Sequence, residues 1–118
     1  MSFKLVKTNT FVLACELTQL QEDGKKLESK LRVRFNKITR AKWDAITKGE
    51  DEDDRILFDV LVNKIEDEIV DDSGNKISDE DKVAAIREDL SLTGQIVEQG
   101  LENMFGAAAK NARRSRGR

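Results

Sequence analysis

The sequence predicts an α+β fold: an N-terminal β-hairpin followed by a mainly helical C-terminal half. Three observations carry this prediction. Two runs of period-two alternation flank an Asp-Gly pair in the first third of the chain. Apolar residues at helical spacing dominate the last third. Between them, the stretch from Ile65 to Ile86 holds an acidic turn, Asp71-Asp72-Ser73-Gly74-Asn75, followed by a helix-start signal at Ser78.

The hairpin is expected over about residues 8–36. In residues 8–18, Phe11, Leu13, Cys15 and Leu17 fall on one face and Val12, Ala14, Glu16 and Thr18 on the other. In residues 27–36, Leu27, Leu31, Val33 and Phe35 share a face opposite Glu28, Lys30, Arg32, Arg34 and Asn36. Alternation of this kind marks a half-buried strand. Asp23-Gly24 supplies the positive φ that a tight turn needs. The row Lys30, Arg32, Arg34 reads as a solvated strand face, with a phosphate-binding stripe as the alternative.

Helices are expected over about 40–47, 54–63, 79–90 and 92–109. Thr39 can cap the first, and Gly49 can end it. Trp43 within it is a candidate core anchor or partner anchor. The acids Glu50 to Asp54 suit the positive end of the next helix. Leu57, Leu61, Ile65 and Ile69 continue at i+4 spacing, so periodicity leaves residues 65–70 open between helix and strand. Ser78 and Asp81 fit a capping box, and Ser91 can open the last helix. Leu92, Ile96, Val97, Leu101, Met104 and Phe105 form an apolar stripe on it. The stripe reads equally as internal core or as docking and oligomer surface. Gly94, Gly100 and Gly106 each weaken this helix by roughly 1 kcal/mol relative to Ala.

The whole reads as one small domain, residues 1–109, with a basic tail, 110–118, expected to be disordered. The tail carries five positive charges against a net −2 for all 118 residues, which leaves −7 for the body.

Composition argues against an enzyme. There is no His, the commonest general base and transition-metal ligand, and a single Cys forms no internal disulfide and no Cys-based zinc site. Cys15 lies among apolar neighbours, where a thiol packs. Calcium-loop spacing fails: with Gly74 as the sixth position, Ile69 falls on the first ligand and Lys76 on the apolar eighth. No cofactor and no metal are expected. The first residues lack the apolar run of a signal peptide, and no stretch has the roughly 18 to 20 apolar residues of a membrane span. Of the two binding readings, a protein-binding module is favoured over a small nucleic-acid-binding protein using the arginine-rich tail, because no aromatic interleaves with those arginines.

Ser2-Phe3-Lys4-Leu5 with Phe11 and the hairpin, the Asp71-Asp72-Ser73-Gly74 turn, the capped helix from Ser78 and the Ala107-Ala108-Ala109 stretch before Lys110-Asn111 occur in this order. In this order they resemble the tail assembly chaperones of long, non-contractile-tailed bacteriophages. The chain departs from that pattern in having Ile65 where a Trp often precedes the turn, and in having no Pro after the glycine. The resemblance implies the short, non-frameshifted form of such a chaperone. It would bind the tape measure protein, keep it soluble and promote tail tube assembly. It would reach the tail tube protein through a longer form, self-associate as a homo-oligomer, act in the host cytoplasm and be absent from the mature virion.

Overall fold

The computed structural model describes residues 2–5, 7–47 and 54–106. The elements are β1 (Thr10–Leu20), β2 (Lys26–Asn36), α1 (Arg40–Thr47), α2 (Asp54–Leu61), β3 (Val62–Ile65), α3 (Asp79–Arg87) and α4 (Leu90–Phe105). The fold is α+β. A three-stranded antiparallel sheet of order β1-β2-β3 is followed by a helical C-terminal half.

The hairpin forms as its alternation dictates. Phe11 pairs with Phe35, Leu13 with Val33 and Cys15 with Leu31, so the two apolar faces coincide. Gly24 at φ +85° closes the loop, and the Asp23 carboxylate accepts the Lys25 N–H at 2.9 Å. Towards the loop the hairpin outruns its cover, leaving Leu20 and Leu27 exposed.

The third strand is where sequence periodicity misleads. The predicted helix 54–63 stops at Leu61, and the chain passes directly into β3. Val62 and Asn63 are weak helix formers, whereas pairing with the open side of β2 satisfies a row of backbone groups. Val33 pairs with Ile65 and Arg34 with Lys64, with a register shift before Phe35 pairs with Val62. Asn36 pins the corner: its side chain donates to the Val60 carbonyl at 3.1 Å and accepts from Asn63 at 3.0 Å. The helix reading of residues 65–70 is thereby excluded. Ile65 ends β3, and Val70 bridges Lys76 across a small turn.

That turn is built as the sequence suggests. Gly74 takes φ +83°, and the Asp71 carboxylate accepts the backbone N–H of Ser73 and of Asn75, both at 2.9 Å. An acid occupied this way stabilises a turn.

The helix caps and boundaries differ from expectation at four further points. Ser78 is the N-cap of α3, but its hydroxyl donates to the Asp81 carboxylate at 2.9 Å instead of accepting a backbone N–H. α3 ends at Arg87, short of the predicted 90. Asp89, not Ser91, caps α4, accepting the Leu92 N–H at 3.0 Å, and the helix begins at Leu90. α4 ends at Phe105, where Gly106 turns to φ +84°, so the predicted run to 109 stops early. The α1 cap holds, with Lys42 N–H on Thr39 Oγ1 at 3.2 Å. Gly49, the acids at 50–53, the alanines at 107–109 and the tail at 110–118 lie outside the described residues.

The helices cover one face of the sheet. Cys15, Val33 and Phe35 from the strands meet Leu57, Phe58 and Leu61 of α2 and Ile96, Val97 and Leu101 of α4, all fully buried. Thr93 is also buried, and its hydroxyl donates to the Asp89 carbonyl at 2.9 Å. Among the described residues, no helix covers the opposite face of the sheet.

Candidate interaction surface

The open face carries a line of ion pairs. Arg32 and Arg34 project from β2, and Glu66 and Asp67 follow directly after β3. Arg34 Nε donates to Glu66 at 2.6 Å, and Arg32 Nε to Asp67 at 2.8 Å. Asp67 also accepts the backbone N–H of Arg32 at 2.8 Å, so its carboxylate continues the ladder past the end of β3. The Arg32 N–H and guanidinium hold the Asp67 carboxyl below its ordinary 3.8, and the Arg34 guanidinium holds Glu66 below 4.5.

The sign of the pH effect follows. A carboxyl depressed in the folded state contributes stability that is present above its unfolded pKa and lost as pH falls through the folded value. Stability measured by urea unfolding should therefore drop from pH 6 to pH 3, and the drop should shrink in Arg32→Gln/Arg34→Gln. An identical pH profile in the double variant would contradict this pairing. These groups are partly solvated, so the effect at neutral pH is small.

Of the charged row on β2, only Lys30 lacks a place in this network; Arg32 and Arg34 are engaged by acids. Periodicity carries no sign of this, because the acids lie opposite the arginines only once β3 is a strand.

Cys15 is fully buried, and burial pushes its thiol up to about 12. A thiol held protonated is a poor nucleophile and a poor metal ligand. Among the described residues, no cluster of three or more acids or thiols is placed to hold a metal ion, and no helix is long and apolar enough to cross a membrane.

The six stripe residues of α4 divide. Leu92, Ile96, Val97 and Leu101 are at most 6% exposed and belong to the internal core, which removes them from the surface expected to meet a partner. Met104 and Phe105, at the C-terminal end, are partly buried and pack against that core. Phe105 packs on Trp43 at 5.6 Å between ring centres, so Trp43 anchors α1 to α4. Phe11 stacks on the buried Phe35 at 5.4 Å. Between these layers runs a groove of about 560 Å³ lined by Phe11, Val12, Lys37, Ile38, Asn103, Met104 and Phe105.

The groove lies beside the outer edge of β1, and half of that edge is already occupied. Gln99 accepts the Glu16 N–H and donates to the Glu16 carbonyl, both at 2.8 Å. One turn earlier, Gln95 does the same for Thr18, at 2.8 and 2.9 Å. Two side-chain amides thus stand in for a neighbouring strand. Backbone groups repeat with period two, so those of Val12 and Ala14 point the same way. Among the described residues nothing reaches them. No periodicity marks this glutamine pair in the sequence, because both lie on a helix and their partners lie about 80 residues away.

No family model, curated protein or solved structure matches this chain.

Proposed function

We propose that this chain is a tail assembly chaperone of long, non-contractile-tailed bacteriophages, acting in several copies to keep the tape measure protein soluble and to promote tail tube assembly. The ordered set of motifs supports the family. One structural observation carries the mode of action. Four residues of the α4 stripe lie in the core, while Phe3, Leu5 and Val12 are exposed and the Phe11-to-Phe105 groove opens beside the Val12–Ala14 edge. A partly apolar groove beside an unpaired strand edge suits another polypeptide, and Met in its lining adapts to irregular partners. The reading makes the chain a non-catalytic binder of polypeptide. The nucleic-acid alternative loses its body-side phosphate stripe, since Arg32 and Arg34 are already paired with acids.

Co-expression with the tape measure protein of the same phage is the direct test. Most of that protein should move from the pellet to the soluble fraction, and equal precipitation with and without this chain would sink the reading.

A further inference from the structure

We infer that Gln95 and Gln99 form an edge guard, which closes the C-terminal half of the β1 edge to strand addition and whose reach ends at Asn103. The inference stands on the geometry of the chain alone and does not depend on the function proposed above.

Each amide does what an adjacent strand would do. Gln99 takes both outward backbone groups of Glu16, and Gln95 takes both of Thr18. The match has a simple origin. Four residues of helix advance about 6 Å, and two residues of strand advance about 6.7 Å. Side chains at i and i+4 on α4 therefore fall opposite alternate residues of β1. The amides are also fixed from behind. Gln95 Nε2 donates as well to Ser91 Oγ at 3.1 Å, and Gln99 Nε2 to the Gln95 carbonyl at 3.2 Å.

Satisfying the backbone does not account for these bonds. Glu16 is exposed, so water would serve its N–H and C=O nearly as well, and the net gain from exchanging water for an amide is small. What water does not do is bar another chain. A row of unpaired N–H and C=O groups is a template for strand pairing. The amides remove Glu16 and Thr18 from that row, and an incoming strand finds only Val12 and Ala14.

The same spacing shows where the guard stops. The next member of the row, at i+8, is Asn103, which shares a hollow with Gln99 and Leu13. It falls opposite Ala14, but its side chain is one methylene shorter than glutamine, and no hydrogen bond joins the two residues. The boundary between closed and open edge is therefore set by the length of one side chain.

Hydrogen exchange followed by NMR on the full chain, together with sedimentation velocity, tests this. In dilute wild type the Glu16 and Thr18 amides should be protected and the Val12 and Ala14 amides should not. In dilute Gln95→Ala/Gln99→Ala, exchange at Glu16 and Thr18 should speed up by roughly fivefold or more, the scale of one lost hydrogen bond. As concentration rises, this variant should form heavier species than wild type, and in them Glu16 and Thr18 should regain protection. Ile96→Val weakens the buried core without touching the edge, and it should sediment as wild type does. Asn103→Gln should slow exchange at Ala14, a gain that lost stability does not produce. The inference is overturned by a wild type in which Glu16 exchanges as fast as Ala14, or by a double variant no heavier than Ile96→Val. Heavier species in which Glu16 and Thr18 still exchange freely overturn it too, as does an Ala14 amide equally fast with and without Asn103→Gln. If the double variant does not fold, Gln99→Ala, read at Glu16, and Asn103→Gln, read at Ala14, decide the matter.

Discussion

Phe35→Ala should lower stability by about 3 to 5 kcal/mol, the range for truncating a fully buried aromatic. Phe35 is 0% exposed near the C-terminal end of the middle strand. Its ring stacks on Phe11 and lies directly beneath α4 at Gly100. Removing it opens a void that neither neighbour can collapse to fill, because Phe11 is held by the hairpin register and α4 by the glutamine bonds to β1. Urea unfolding should show a lower midpoint at constant slope, the mark of a change in stability and not in compactness. A loss below about 1 kcal/mol, against the cited range for core truncation, would mean that the ring is not packed as described.

Gly100→Ala sets two effects of opposite sign against each other. Helix propensity alone predicts a gain of roughly 1 kcal/mol. A methyl at this position, however, would lie 2.5 Å from Phe35 Cε1 and 2.9 Å from Cδ1. The ring is fully buried and cannot swing away without disturbing its neighbours, and overpacking of a tight core costs about 1 to 3 kcal/mol. The steric term wins, so a net loss is expected, seen as a melting temperature lower by several degrees. Phe35→Leu should relieve the clash: the double variant should be less destabilised than the sum of the two single changes, a coupling expected only between residues in contact. A stabilised Gly100→Ala would show that α4 stands further from the sheet.

These two residues also show what was legible. The hairpin register could be read directly, because period two along both strands leaves one pairing that buries both apolar faces. Gly74 and Gly24 could be read as turns, since positive φ is a local demand. Gly100 could not. In sequence it is a weak point in a helix; in the fold it is the clearance that lets α4 sit on Phe35. Ile65 was ambiguous because Leu57, Leu61 and Ile65 keep helical spacing across an element boundary; the deciding interaction, pairing with β2, is not local. The stripe on α4 is legible as apolar, but a stripe does not say what covers it. Four of its residues are covered by the chain itself, and only Met104 and Phe105 reach the groove. The open edge at Val12 needs the sheet order before it can be recognised.

The glutamine bonds between α4 and β1 have a consequence for the order in which the chain becomes structured. They join residues 83 and 77 positions apart, and the same helix contributes Ile96, Val97 and Leu101 to the core. A two-stranded hairpin on its own is marginal in water. Before residues 90–105 arrive, α2 and β3 already give the hairpin a third strand and part of a covering layer, through Leu57, Phe58, Leu61 and Ile65. The half of β1 held by Gln95 and Gln99 has no such support. The last helix is the clasp that closes the hairpin's outer edge.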